Sequence, residues 1–102
     1  MTGQIEGGIA MGLGFALTEE FVPGETRGFK EYRIPRTRDM PEMTMILVGG
    51  PSGPPELEAM GVAECSNMAV APAITNAIAH ATGRRVVDLP VRLKGRAEAA
   101  NR

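Results

Sequence analysis

Apolar residues recur at helical spacing in two stretches of the chain. Ile5, Ile9, Leu13, Ala16 and Leu17 fall three and four apart and predict a helix over residues 4–20. Val70, Ile74, Ala77, Ile78 and Ala81 repeat the pattern. Proline is accepted only in a first helical turn, so Pro72 places the start of this second helix near Ala69 or Val70. Gly83 supplies a left-handed stop. Between the two the period changes to two. Met43, Met45 and Leu47 alternate with Thr44, Ile46 and Val48, which predicts a strand over residues 42–48, apolar on both faces and therefore interior. Phe21-Val22, the turn formers Pro23-Gly24-Glu25-Thr26 and then Phe29-Lys30-Glu31-Tyr32 predict a hairpin over residues 21–33 with an exposed polar tip. Residues 84–87 read as one more short strand, and residues 95–102, without an apolar stripe, as a frayed tail. The fold class this predicts is α+β: two main helices packed on a small mixed or antiparallel sheet, in one domain over residues 1–94.

Two features sit uneasily with a plain amphipathic reading. Gly7, Gly8, Gly12 and Gly14 weaken the first helix, so a ligand or another backbone must approach closely there; the residues leave both readings open. Pro51-Ser52-Gly53-Pro54-Pro55 then breaks regular structure and leads, through residues 56–63, to Glu64 just ahead of the second helix. Ser66 and Asn67 are available to cap that helix. A helix start carries unpaired N–H groups and partial positive charge, which suits an anionic group or ligand. Glu64 is thus either a functional carboxylate or a solvated one beside a helix end.

Composition narrows the function classes. At 102 residues the chain forms one domain at most, and a chain of this size buries only about 60–65% of its unfolded surface, a thin margin without a partner. A net charge of −1 with interspersed signs offers no basic face for nucleic acid, and four aromatic residues without Trp offer no stacking platform. A single cysteine makes no internal disulfide, and the apolar run 5–17 is too short and glycine-rich to span a bilayer. A cytoplasmic chain is expected, or a periplasmic one if exported with a partner. His80 is the lone histidine, so no metal-ligand spacing exists. Cys65 has no sequence-adjacent histidine to activate it and reads as a small buried or semi-buried residue. The methionines read as core filler, and Met11-Gly12-Leu13-Gly14 lacks the lysine of a phosphate loop.

Five motifs in register carry a resemblance that covers the chain from Gly3 to about Pro90. They are Gly3-Gln4-Ile5-Glu6-Gly7-Gly8 with Met11-Gly12-Leu13-Gly14 and Glu19-Glu20; Tyr32-Arg33-Ile34-Pro35 with Asp39-Met40-Pro41-Glu42; Gly61-Val62-Ala63-Glu64; Val70-Ala71-Pro72-Ala73-Ile74 with Asn76-Ala77-Ile78; and Ala81-Thr82-Gly83 with Asp88-Leu89-Pro90. In this order they closely resemble the C-terminal portion of the molybdenum-binding subunit of the xanthine dehydrogenase and aldehyde oxidase family. The resemblance implies that residues 1–94 are part of a larger molybdopterin-binding domain. It implies a hydroxylase that oxidises an aldehyde or an N-heteroaromatic ring with water as oxygen source, and Glu64 matches the family's catalytic general base. A carboxylate does this near neutral pH when burial raises its pKa, and Met60, Val62 and Ala63 are the apolar neighbours expected to bury it.

The resemblance also implies that Gly3, Gln4, Gly7, Gly8, Gly61, Val62 and Ala63 line a molybdopterin cofactor, in its cytosine dinucleotide form, that carries molybdenum. No residue of this chain is expected to ligate the metal. The implied partners are the upstream part of the molybdenum subunit, an iron–sulfur subunit, an FAD subunit and a small-molecule substrate. The chain departs from the family pattern at Met11, where glutamine is common, at Ala63, where glycine is usual, and at Cys65, where proline is frequent. The alternative is a non-catalytic small α+β fragment or interaction domain that keeps the fold and binds no cofactor alone.

Overall fold

The computed structural model describes residues 1–49 and 61–92. Helix α1 spans Thr2–Leu17, a four-residue helix α2 spans Cys65–Met68, and α3 spans Val70–Thr82; a 3-10 turn occupies Thr37–Asp39. Helix α3 begins where Pro72 allows and ends where Gly83 adopts φ 70°, ψ 4°, a left-handed cap whose N–H bonds Ala79 O at 2.8 Å. Helix α1 packs against both α2 and α3.

Small residues make that contact. Gly8, Gly12 and Ala16, spaced by four, form the buried ridge of α1, while Ile5, Ile9 and Leu13 flank it half-buried. A Cβ added at Gly8 would collide with the Ser66 side chain, and one added at Gly12 would lie 2.5 Å from Val70 Cβ and 2.8 Å from Asn67 Oδ1. The axis of α1 therefore approaches α2 and α3 more closely than any side chain larger than hydrogen allows. At the other end of α1, Val91 N donates to Ala16 O at 2.7 Å, Arg92 pairs with Glu20, and Tyr32 donates its hydroxyl to Glu19 Oε2 at 2.9 Å.

The expected α+β class is corrected: the described residues are helix, turn and irregular chain, and none of them forms a strand. A strand exists only by pairing its backbone with a neighbour, and the segments expected to pair bond locally instead. In the expected hairpin, Thr26 N and Glu25 N donate to Val22 O at 2.9 and 3.1 Å. The Val22 N–H is taken by the Thr26 hydroxyl at 2.8 Å, and a second turn closes between Tyr32 N and Gly28 O at 3.0 Å. The expected interior strand 42–48 has no paired neighbour among the described residues, and Ile46 and Val48 are 84% and 94% exposed. Residues 84–87 likewise form no ladder; Arg85 instead donates to Asn76 Oδ1 at 3.1 Å. The turn-rich loop 51–55, Met60 and the expected tail 95–102 lie outside the described residues.

Candidate functional site

The local sequence around Glu64 folds into something shorter than the long helix start it was expected to precede. Glu64 is the N-cap residue of the four-residue α2, with helical φ −71° and ψ −18°, and Asn67 N donates to its carbonyl at 3.0 Å. Its side chain makes no capping bond and is exposed. The carboxylate is thus not committed to stabilising a helix. The burial expected from its neighbours is absent among the described residues: Val62 is half-buried and Ala63 exposed. Cys65, expected to be at least semi-buried, is also exposed.

Ser66 joins the two halves of the candidate site. Its hydroxyl is shared between Ala63 O at 3.1 Å and Gln4 O at 3.4 Å. With Gly8 against the same side chain, the first two turns of α1 meet the segment 63–66. Gln4 and Gly8 are in this way brought against Ser66 and, through its hydroxyl, to Ala63, the neighbour of Glu64 in the chain. Gly3, Gly7 and Gly61 are exposed, and a Cβ on any of them would meet nothing within 4 Å. Sequence reasoning assigned Ser66 to capping and missed this bridge. The available signal was the smallness of Gly8, which implies that something sits on it.

The arrangement offers a neutral amide at Gln4, exposed and making no side-chain hydrogen bond among the described residues, beside open glycine surface. Such a surface fits a flat heterocycle recognised by its ring-edge donors and acceptors, as a pterin would be. Among the described residues no group of three His, Cys, Asp or Glu side chains lies together. An open cleft of about 690 Å³ is elsewhere, behind the end of α3, between Ile78, Arg84, Leu89 and Arg92. Among the described residues no helix is long and apolar enough to cross a membrane.

Comparison with known proteins agrees with the motif order. The family model of a molybdopterin cofactor-binding domain matches residues 1–41. The chain is 37% identical over 109 residues to a probable xanthine dehydrogenase subunit of Bacillus subtilis, a match covering 98% of this chain and 14% of that protein. It is 35% identical over 98 residues to the aldehyde oxidoreductase molybdenum-binding subunit PaoC of Escherichia coli, covering 88% of this chain and 13% of the relative. It is 34% identical over 93 residues to the beta subunit of isoquinoline 1-oxidoreductase of Brevundimonas diminuta, covering 87% of this chain and 11% of the relative. The chain belongs to the family of molybdenum-binding subunits of xanthine dehydrogenases and aldehyde oxidoreductases. It spans about one seventh of the length of the first two of these relatives.

Proposed function

We propose that this chain supplies the general base and part of the cofactor wall of a molybdenum hydroxylase that oxidises an aldehyde or an N-heteroaromatic ring with water as oxygen source. One observation carries the reading: the Ser66 hydroxyl, between Gln4 O and Ala63 O, holds the Gly-Gln motif of α1 against the motif ending in Glu64. These are the two segments a shared cofactor site needs side by side. The names of the relatives support the substrate class, since one is an aldehyde oxidoreductase and another an isoquinoline oxidoreductase.

When bound, the molybdopterin cofactor, in its cytosine dinucleotide form, supplies the oxygen delivery and the two-electron oxidation. The Gln4 amide would orient its pterin by accepting and donating hydrogen bonds, and the open Gly3, Gly7 and Gly61 would let it approach the backbone beside Val62 and Ala63, while Gly8 holds α1 against Ser66. Glu64 takes the proton released as the substrate carbon is hydroxylated, at one of its carboxylate oxygens. Partner subunits that hold iron–sulfur and FAD groups would take up the electrons, and the upstream part of the molybdenum subunit would complete the site. The assembly works in the cytoplasm, or in the periplasm if it is exported whole.

A second reading is favoured by one observation, the exposure of Glu64: a fragment that keeps the fold without chemistry of its own. Glu64→Gln in an assembled enzyme separates the two. An amide keeps the shape and loses the proton acceptor, so loss of a general base lowers turnover by about 10²–10⁴ at unchanged molybdenum content. Turnover within a few-fold of the parent would end the assignment of Glu64 as base.

A further inference from the structure

Ser66, the second residue of α2, makes a bond that neither capping nor packing requires. A capping hydroxyl accepts from a backbone N–H. This one donates to two carbonyls, Ala63 O at 3.1 Å and, 62 residues away in sequence, Gln4 O at 3.4 Å. Gly8 makes the room, since a Cβ there would take the place of Ser66 Oγ. The neighbouring contact is of another kind: Asn67 and Val70 lie against Gly12, one turn further along α1. Packing of this sort keeps two faces together without fixing a direction, whereas a hydrogen bond fixes one. A second tie to the α1 backbone, from Val91 N to Ala16 O at 2.7 Å, lies about 18 Å along the helix from Gln4.

We infer that Ser66 is a positioning residue: its hydroxyl sets where the Glu64 carboxylate stands relative to the Gln4 end of α1, and it acts on the reaction through Glu64 alone. The catalytic consequence rests on the proposed function, and the tie itself on the geometry. Glu64 is exposed and its side chain makes no capping bond, while the bond from Asn67 N to its carbonyl closes inside its own turn. The carboxylate is therefore aimed by where the backbone of residues 63–66 is held, and the Ser66 hydroxyl holds that backbone to α1. A general base must lie within hydrogen-bond reach of the proton it takes, and a displacement of about 1 Å lowers a rate by about a hundredfold. Removing the hydroxyl leaves Val70 on Gly12, so the helices stay together and the aim is lost.

The test has two parts. Cys65, the single cysteine of the chain, is exposed between Glu64 and Ser66, so a nitroxide attached to it in the full chain reports how firmly the segment is held. Ser66→Ala is expected to raise the mobility of the label, read as narrowing of its electron paramagnetic resonance spectrum. A spectrum that Ser66→Ala leaves unmoved, or a parent label as mobile as in denaturant, overturns the inference and leaves the proposed function standing. Should Ser66→Ala not accumulate, Gly8→Ala takes its place, because the added Cβ displaces the same hydroxyl from the α1 side. In the assembled enzyme, turnover per bound molybdenum is then compared for the parent, Ser66→Ala, Glu64→Gln and the double variant. Ser66→Ala is expected to lower it by about tenfold to a hundredfold, and to lower it no further once Glu64 is glutamine. Two losses that multiply in the double variant would show Ser66 acting independently of Glu64, as a merely structural contact does, and overturn the inference. Parental turnover in Ser66→Ala overturns it too, with the proposed function intact. Parental turnover in Glu64→Gln instead ends the proposed function, and the positioning role with it, whatever the spectrum shows.

Discussion

At the scale of single residues, the side chains that sequence singled out and those that organise the structure are different. Glu64 stands exposed at the end of its motif, while Ser66, two residues on, makes the contact that brings α1 to it. Tyr32 is another residue whose surroundings carry a measurable consequence. The hydrogen bond to Glu19, with desolvation and the nearby carboxylate charge added, holds its phenol above the ordinary value of 10.0, because the acceptor stabilises the protonated form. The folded state therefore favours the phenol: this contribution to stability is complete below pH 10.0 and is lost as pH rises through the raised value. Tyr32 is the single tyrosine of the chain, so a spectrophotometric titration reads it directly. We expect a midpoint above 10.0 that falls back toward it in Glu19→Gln. A midpoint unmoved by that change would show that the Tyr32 to Glu19 bond does not persist in solution.

At the scale of elements, the glycines of α1 divide into two kinds, and substitution tells them apart. Alanine favours a helix over glycine by about 1 kcal/mol, so Gly7→Ala, where the added Cβ meets nothing within 4 Å, is expected to raise the melting temperature. Gly12→Ala gains the same propensity but puts its Cβ 2.5 Å from Val70 Cβ, an atom fixed close to the backbone of α3. The helices must then separate, and overpacking of this kind costs about 1–3 kcal/mol. The expected outcome is a lower melting temperature for Gly12→Ala and a higher one for Gly7→Ala. Equal effects from the two would refute close helix approach as the reason for the buried glycines. Gly14 belongs with Gly12, since a Cβ there would lie 2.8 Å from Pro35 Cδ.

At the scale of the whole molecule, the described residues leave several large apolar side chains uncovered. Among the described residues Ile46, Val48, Val87 and Phe29 are between 79% and 94% exposed. In the proposed site the described residues contribute one flank of α1 and the short α2, with Glu64 exposed. Purified alone, it is therefore expected to carry no molybdenum, with metal analysis as the measurement. Stoichiometric molybdenum in the isolated chain would mean that Gln4, Ser66 and the glycine surface suffice to hold a cofactor without a partner.

What the sequence by itself determined is whatever depends on neighbours along the chain. The two long helices follow from apolar spacing, the start of α3 from Pro72 and its end from Gly83. The family follows from motifs whose order survives in the sequence. Tertiary structure alone decided the rest. Whether residues 42–48 become a strand depends on a partner backbone, which alternation at period two does not supply. The four glycines could not reveal from their own positions what lies against them; only the docking of α2 and α3 shows Ser66 on Gly8, Val70 on Gly12, and open space at Gly7. The meeting of Gln4 with the segment of Glu64, sixty residues away in sequence, is a property of that packing and is written in no local pattern.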